Sequence, residues 1–216
     1  MFEEETSANS LSRQAYAQIR DRIITLQLAP GTLLHEAALM EEFDLGRTPI
    51  REALQRLACE GLVVIRPRRG TFVANLGITD LQQIFELRQV LEGYATALAA
   101  ERATEADLAA MDKTLEALNK ARRREDPHAL IEIDRAFHRA LAQSAHNRFL
   151  EDTLSRMYNL NLRLWYLALD KIGSMRETVE QHRAVVEAIR RRDAGQAQAI
   201  VQKHISDFQA RIKAII

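Results

Sequence analysis

The sequence predicts a mainly α-helical chain in two domains, with a short β-hairpin inside the first domain. Over most of the chain, apolar residues recur at intervals of three and four, the spacing of a buried helix face. The hairpin pattern, two β-rich runs around a turn, falls within residues 62–73. With only four prolines and eight glycines among 216 residues, few positions interrupt a helix.

Charge and composition restrict the class of protein. The 30 basic and 30 acidic residues cancel, so the net charge does not announce a nucleic-acid partner. The single cysteine, Cys59, excludes an internal disulfide and suits a reducing compartment. The acidic N-terminus lacks a signal-peptide pattern, and no apolar run approaches the roughly 18 residues of a membrane span. These features predict a soluble, cytoplasmic protein.

The first domain is predicted at residues 10–75, after an acidic and disordered tail at residues 1–9. Three helices are followed by the hairpin, whose turn is rich in proline, glycine and arginine. This order predicts a winged helix-turn-helix. The predicted elements are helices over Leu11–Leu28, Glu36–Phe43 and Thr48–Glu60, a short extended piece at Leu33–Leu34, and hairpin strands at Leu62–Ile65 and Thr71–Val73.

The third helix carries the first functional signal. Thr48 is predicted to cap its start, Pro49 to take the first helical position, and Gly61 to cap its end. Arg47 and Arg51 fall off the apolar face, so they should point outward near the helix start. Two interpretations stay open: arginines that bind guanine edges or phosphates in a DNA major groove, or a capped surface helix in water. The apolar face consists of Ile50, Ala53, Leu54 and Leu57.

Basic charge is concentrated in the same region. Between Arg47 and Gly70 there are six arginines against two acidic residues, Glu52 and Glu60. Three of these arginines lie at the predicted hairpin tip, which gives the wing a positive end. The six are Arg47, Arg51, Arg56, Arg66, Arg68 and Arg69.

The second domain is predicted at residues 80–216, after a linker at residues 76–79. Its pattern is helical throughout and indicates an antiparallel bundle. The predicted helices are Asp80–Ala100, Glu105–Arg124, Pro127–Ala145, Arg148–Ala168, Met175–Arg192 and Gly195–Ile215. The predicted helix caps are Thr79, Thr104, Asn147 and Ser174.

Polar residues interrupt three apolar stripes of this second domain. Asp134 and His138 lie one turn apart on one helix, while His182 and His204 each sit among apolar residues of a later helix. Buried polar groups need partners, and one divalent metal ion can partner all four. Carboxylate and imidazole without thiolate favour zinc, with nickel and manganese as alternatives. The other interpretation is that these are core residues paired with one another or with an arginine.

Arg88 interrupts a fourth apolar stripe. Arginine does not lose its charge, so a buried arginine needs an anion. One candidate is Glu92, one turn away; the other is the carboxylate of a ligand that also reaches the metal. The spacing alone leaves both open.

The motifs of the first domain resemble the DNA-binding domain of GntR-type bacterial transcription regulators. The resemblance lies in LAPGTLLHEAALMEEF at residues 28–43 and LGRTPIREALQRLACEGLVVIRPRRGTFV at residues 45–73. It implies DNA contacts from the third helix and from the wing tip. Ala37 stands where some members carry a DNA-contacting arginine. The implied contact residues are Arg47, Thr48, Arg51, Arg68, Arg69 and Gly70.

The second domain resembles the effector domain of the FadR-like, FCD branch of that family. The motifs are LRQVLEGYATALAA, DRAFHRAL, EQHRAVVEAI and KHI, at residues 87–100, 134–141, 180–189 and 203–205. In metal-binding members, an aspartate and three histidines hold the ion and an arginine matching Arg88 can hold a small organic acid. The resemblance therefore implies a homodimeric repressor of a metabolic operon that binds a roughly palindromic operator. The implied metal ligands are Asp134, His138, His182 and His204.

Two other classes of function remain as alternatives. The metal site would be catalytic if an ion-activated water hydrolysed a small metabolite, with the winged domain as an appendage. The sequence shows no separate acid or base beside the candidate ligands. Alternatively, the winged domain would bind protein in place of DNA, which the concentrated arginines disfavour.

Overall fold

In the computed structural model the chain divides into two compact units, Met1–Gly77 and Ile78–Ile216. The structure describes residues 2–75, 77–124, 127–168 and 176–214. The predicted fold class is confirmed: the first unit is a winged helix-turn-helix with a small sheet, and the second is helical. Among the described helices, none is both long and apolar enough to cross a membrane.

The first unit contains helices and strands in the order predicted. Its core lies between α1 and α3, where Ile19 and Ile23 pack with Ile50, Leu54 and Leu57, all nearly or fully buried. The elements are α1 (Phe2–Ile24), β1 (Leu33–Leu34), α2 (Glu36–Phe43), α3 (Arg47–Cys59), β2 (Val63–Arg66) and β3 (Gly70–Val73).

The first helix differs from its prediction at both ends. Residues 1–9 were predicted to be a disordered tail, but α1 begins at Phe2. The run from Phe2 to Ser10 contains neither proline nor glycine, the two residues that most disfavour a helix. The helix stops at Ile24, before the predicted Leu28, because Leu26 adopts a left-handed conformation with φ of 62°.

The third helix begins one residue early and is capped differently from the prediction. Gly46 is its N-cap, and no side chain caps it, so the predicted Thr48 cap is wrong. Pro49 lies in the third helical position, still within the first turn, where its missing N–H has no intrahelical partner to lose. The predicted Gly61 cap is confirmed: its φ is 75°, and Leu62 N–H donates to the Leu57 carbonyl at 3.0 Å.

The wing is an antiparallel sheet in the order β1-β3-β2. Its tip is a turn closed by Arg69 N–H donating to the Arg66 carbonyl at 3.0 Å. Pro67 and then a positive φ of 61° at Arg68 make this a type II turn. Gly70 has a φ of 104°, a backbone conformation that L side chains rarely adopt, so glycine is favoured at this position.

The second unit consists of six described helices. The first packs most extensively against the last, and Gly93 allows this approach: a Cβ there would lie 2.7 Å from Gln202 Nε2. The close contact brings the candidate site residues of both helices together. The helices are α4 (Ile78–Arg102), α5 (Glu105–Arg124), α6 (Pro127–Ser144), α7 (Arg148–Ala168), α8 (Arg176–Arg190) and α9 (Ala194–Lys213).

The predicted helix caps of this unit can be compared with the hydrogen bonds at the start of each helix. Thr104 and Asn147 are confirmed, since Asp107 N–H donates to Thr104 Oγ1 at 3.2 Å and Leu150 N–H to Asn147 Oδ1 at 3.2 Å. Thr79 lies inside α4 and does not cap it. The predicted cap Ser174 lies outside the described residues. At α9, the cap is Asp193.

Candidate metal centre and DNA interface

The four predicted metal ligands lie together in the interior of the second unit. Asp134 and His138 share a face of α6, His182 projects from α8 and His204 from α9. Each is at most 6% exposed. The ring of Phe137 stacks on that of His182, with centroids 4.0 Å apart, which fixes the imidazole orientation.

The spacing of the donor atoms fits one metal ion. Asp134 Oδ1 lies 3.2 Å from His182 Nε2 and 3.7 Å from His138 Nε2. His182 Nε2 and His204 Nε2 are 3.2 Å apart. Taking one ligand atom from each residue, all four lie within 4.8 Å of one another. Zinc–nitrogen bonds of about 2.0–2.1 Å put neighbouring tetrahedral ligands roughly 3.3 Å apart, so these residues can hold an ion with little movement.

A second layer of side chains contacts the outer atoms of these ligands. Gln181 Oε1 lies 2.8 Å from His204 Nδ1. On the other side, Glu92 Oε2 lies 2.7 Å from His138 Nδ1, an electrostatic contact without the alignment of a hydrogen bond. Such outer contacts favour a proton on Nδ1 and leave Nε2 as the metal-binding atom. Tyr158 supports the carboxylate, since its hydroxyl donates to Asp134 Oδ2.

The two buried carboxyl groups are held ionised. Burial by itself raises the pKa of Glu92, but the charges of Arg88 and His138 outweigh it and bring the pKa to about 2. Burial also raises the pKa of Asp134, but the charge of His138 and then the close polar contact with His182 outweigh burial and lower the pKa. Both groups are therefore carboxylates at neutral pH, the form that binds a cation.

The histidines and the tyrosine have shifts that suit the same role. Burial lowers the pKa of His182. Burial, and then the neighbouring His182 and His138, lower the pKa of His204 well below its usual value. The rings of His182 and His204 are thus neutral at neutral pH, with lone pairs available for a metal. Burial and the Asp134 carboxylate raise the pKa of Tyr158, so its hydroxyl stays protonated and remains a donor.

Arg88 lies beside this cluster, on α4. It is 3% exposed, and its Nε donates to Glu92 Oε1. Its guanidinium carbon lies 5.1 Å from the ring centroid of Tyr158. The contact with Glu92 is therefore present. Contact with a ligand carboxylate stays a prediction.

Sequence reasoning missed Tyr158 and Gln181 as parts of this site, and it treated Glu92 only as the partner of Arg88. Tyr158 lies at an apolar position of α7, where a tyrosine is ordinary core material. Gln181 precedes His182 and is half-buried, so its position signals nothing by itself. No sequence signal relates Tyr158 to Asp134, because that contact depends on how α6 and α7 pack.

The six predicted DNA-contact residues form the exposed surface of α3 and of the wing tip. Arg51 is the best defined of them: its Nε lies 2.9 Å and 3.1 Å from the two carboxylate oxygens of Glu36 on α2. This pair is solvent-exposed and orients Arg51 without burying it. The six exposed residues are Arg47, Thr48, Arg51, Arg68, Arg69 and Gly70.

Arg56, although part of the basic run, has a structural contact. Its guanidinium carbon lies 3.8 Å from the ring centroid of Tyr16, and its Nε lies 3.2 Å from Glu60 Oε1. The Tyr16 hydroxyl donates to the other carboxylate oxygen of Glu60 at 2.6 Å. These contacts join α1 to the end of α3 and support the helix from behind.

The fold and the two sites define a class of protein: a transcription regulator with a DNA-binding winged domain and a helical domain that contains a buried cluster able to hold a metal ion. Residues 11–73 match the family of bacterial regulatory proteins called the gntR family, and residues 83–207 match the FCD domain. The chain therefore belongs to the GntR family of transcription regulators, in the branch with an FCD domain. This family consists of regulators and not of enzymes.

Individual relatives extend over nearly the whole chain. The HTH-type transcriptional repressor RspR of Escherichia coli is 27% identical over 205 residues, covering 95% of this chain and 90% of that protein. The galactonate operon transcriptional repressor of Escherichia coli is 30% identical over 218 residues, covering 90% and 93%. The solved structure of Escherichia coli McbR/YncC has a TM-score of 0.85 at 24% identity, covers 94% of this chain and 97% of that one, and supports the fold.

Proposed function

We propose that this protein is a metal-dependent, ligand-responsive repressor of a metabolic operon. The observation that carries this proposal is the cluster of four buried side chains whose ligand atoms lie within 4.8 Å of one another. Two relatives are named as repressors, one of them of a galactonate operon, which supports repression as the direction of control. Because the family consists of transcription regulators, we do not favour a metal-dependent hydrolase. Because its winged domain is a DNA-binding domain, we do not favour a winged domain that binds protein.

The ion is held by Asp134, His138, His182 and His204. Zinc suits this donor set best, and nickel or manganese also accept a carboxylate with imidazoles. Bound there, such an ion would supply a Lewis-acidic position for a carboxylate group of the effector. Arg88 holds the same carboxylate through its terminal amino groups, while its Nε stays with Glu92.

The winged unit binds the operator. Helix α3 enters the major groove, where Arg47 and Arg51 bind bases or phosphates beside Thr48. Arg68, Arg69 and Gly70 of the wing tip enter the adjacent minor groove. Effector binding changes DNA affinity because the effector has different affinities for the DNA-competent arrangement and for the other arrangement.

The active form is a homodimer. Helix α4 exposes three large apolar side chains on one face, Leu87, Val90 and Tyr94, which are 51%, 64% and 53% exposed. Their spacing of three and four residues makes a continuous stripe, of the kind that a second copy of the chain covers. Two copies present two winged units, which predicts a roughly palindromic operator with half-sites about 10 bp apart, or a multiple of that.

Elemental analysis tests the metal site. Protein purified without chelator or histidine tag should contain about one equivalent of zinc, nickel or manganese, and His138→Ala should lose it. His146→Ala is the matched control, because His146 is an exposed histidine of the same unit that contacts Asp107. If wild-type protein takes up none of the three ions even after incubation with each, the metal-dependent mechanism is wrong.

In vitro selection from random duplex DNA tests the regulator function. Metal-loaded protein should enrich a sequence with two-fold symmetry. Failure to enrich any sequence, or enrichment of a single asymmetric site, would contradict the dimeric DNA-binding proposal.

A further inference from the structure

Arg47 and Arg51 lie about one turn apart at the start of α3, but their surroundings differ. The Nε of Arg51 donates to both carboxylate oxygens of Glu36, at 2.9 Å and 3.1 Å. Arg47 is also exposed, yet it has no hydrogen bond or ion pair among the described residues. One arginine of the proposed DNA surface is therefore held by a neighbouring helix, and the other is not.

Glu36 is well placed to act as a fixed support for Arg51. It is the first residue of α2, where its carboxylate suits the positive end of the helix dipole. Its side chain is 34% exposed, against 60% for that of Arg51, so it is the more enclosed member of the pair. Helix α2 contains no basic residue, so no cation of its own helix competes for this carboxylate.

The contact with Glu36 decides which edge of the Arg51 guanidinium remains open. Of the several N–H donors of an arginine, the contact uses only the one on Nε. Nη1 and Nη2 make no hydrogen bond within the part of the chain that the structure describes. Their parallel N–H groups match guanine, which presents the acceptors O6 and N7 in the major groove. Adenine and cytosine each present an amino group there, which an arginine cannot accept.

The charge of the pair favours a base over a phosphate as the partner of Arg51. The Glu36 carboxylate compensates the positive charge of Arg51, and a phosphate bound at Nη1 and Nη2 would lie near that carboxylate. Like charges placed together repel, whereas the edge of a guanine carries no net charge. Arg47 has no such acidic neighbour, so it suits a phosphate better than Arg51 does.

We propose that Glu36 is a positioning residue for sequence recognition: it holds Arg51 so that Nη1 and Nη2 bind one guanine in each half-site, and it disfavours the binding of Arg51 to phosphates. This inference rests on the proposed function, because it takes Arg51 to lie in the major groove. Glu36 acts through Arg51 and does not itself contact DNA. Its effect is therefore on the choice among sequences more than on total affinity.

In vitro selection from random duplex DNA with wild type, Arg51→Ala and Glu36→Gln tests this role. Arg51→Ala identifies the base pair that Arg51 reads, since a preference for guanine should disappear at that position of each half-site. Glu36→Gln should reduce the same preference by at least about fivefold, because a neutral amide holds the guanidinium less strongly and does not repel a phosphate. Preferences at the other positions should remain.

Binding to an alternating A·T duplex, which lacks guanine, gives a second readout that misfolding cannot imitate. Glu36→Gln should bind this duplex more tightly than wild type does. The slope of log affinity against log salt should be steeper by about one unit, because the released arginine takes a phosphate. The variant should fold like wild type, since the pair that it weakens is exposed.

Glu41→Gln is the matched control, because Glu41 is an exposed glutamate of the same helix without a contact among the described residues. It removes the same charge from α2 and should change neither the guanine preference nor the salt slope. An unchanged guanine preference in Glu36→Gln overturns the inference, and so does an unchanged or shallower slope. A preference lost at a base pair other than the one that Arg51 reads would show that Glu36 contacts DNA itself, which also overturns it.

The same selections separate this inference from the function on which it rests. If wild-type protein enriches no sequence, the proposed DNA-binding function fails, and the role of Glu36 fails with it. If wild type enriches a two-fold symmetric sequence and Glu36→Gln enriches the same sequence with an equal guanine preference, the regulator stands and only the role of Glu36 is wrong.

Discussion

At the scale of single residues, Glu92 connects the buried Arg88 to the candidate metal ligands. One of its carboxylate oxygens accepts from Arg88, and the other lies 2.7 Å from His138 Nδ1. Glu92 therefore serves both as the counter-ion of Arg88 and as the outer contact that orients His138. Because it belongs to α4 and His138 to α6, it also ties the site to the helix that carries the proposed dimer stripe.

Glu92→Gln should weaken metal binding by about 10- to 100-fold, because outer-layer contacts fix the orientation and basicity of the ligand they touch. Without metal, the variant should also have a free energy of unfolding about 3 kcal/mol lower than that of metal-free wild type, because Arg88 is left as a buried charge without a carboxylate partner. Competition titration with a chromophoric chelator measures the first effect, and urea unfolding measures the second.

Glu86→Gln is the matched control for this change, because Glu86 is exposed on the same helix and contacts only Gln82 among the contacts seen. It should change neither quantity noticeably. If Glu92→Gln binds metal like wild type, then Glu92 serves Arg88 alone and has no part in orienting His138.

In the winged unit, the single-residue prediction concerns Arg51. Arg51→Ala should reduce affinity for the selected operator by about 1–3 kcal/mol, the contribution of a bidentate contact to a base. Stability should hardly change, because the lost pair with Glu36 is exposed. Fluorescence anisotropy with labelled operator measures the affinity, and Arg148→Ala, an exposed arginine of the other unit, is the control. Unchanged affinity would remove Arg51 from the interface.

The sequence identifies the four candidate metal ligands, but it does not identify the residues that contact them. Helical periodicity identifies which positions are buried, so Asp134 and the three histidines stand out as polar intrusions into apolar stripes. Periodicity does not say which faces of different helices meet. Tyr158 and Gln181 therefore had no signal, since their role comes from the packing of α7 on α6 and of α8 on α9. That the quartet holds a metal stays a proposal.

At the scale of elements, local residue chemistry predicts where a helix runs better than it predicts the residue at which the helix begins or ends. Helix α2 has the predicted bounds, Glu36–Phe43. The start of α3 does not follow its prediction, because Gly46 provides the extended conformation of an N-cap before Thr48 is reached. A threonine followed by proline is a typical helix start, but the signal leaves a shift of one or two residues open.

The wing tip combines backbone strain with charge. Arg68 occupies the position of a type II turn that favours glycine, which costs a side chain about 1–2 kcal/mol. We propose that a DNA contact made by the Arg68 charge offsets this cost.

Arg68→Gly should therefore raise the stability of the protein by up to about 1 kcal/mol while weakening DNA binding. The slope of log affinity against log salt should fall by about one unit, because one phosphate contact is lost. Arg69→Gly, which removes the same charge at a position without positive φ, should weaken binding without the gain in stability. Thermal unfolding and salt-dependent binding to duplex DNA measure both effects. A destabilised Arg68→Gly would show that the side chain supports the turn.

At the scale of the whole molecule, the two proposed functions of effector binding and dimerisation share helix α4. Its buried face carries Arg88 and Glu92 beside the metal ligands, and its exposed face carries Leu87, Val90 and Tyr94. A change at the ligand site therefore acts on the same rigid element that the proposed partner copy contacts. This arrangement gives a physical connection between effector binding and the pairing of two chains, without a separate relay of residues.

Val90→Asp tests the pairing, because a dimer would bury the new carboxylate in an apolar interface without a counter-charge. Wild-type protein should sediment at twice the 24.6 kDa mass of the chain, and the variant at the single mass. Affinity for the two-fold symmetric operator should fall by about 100-fold or more, because the second half-site contact is no longer intramolecular. Phe149→Asp is the control: Phe149 is 74% exposed and belongs to α7 and not to α4, so the variant should remain dimeric if the α4 stripe forms the interface. A dimeric Val90→Asp would place the interface elsewhere, and a monomeric wild type that still selects a palindrome would show that DNA itself brings the two copies together.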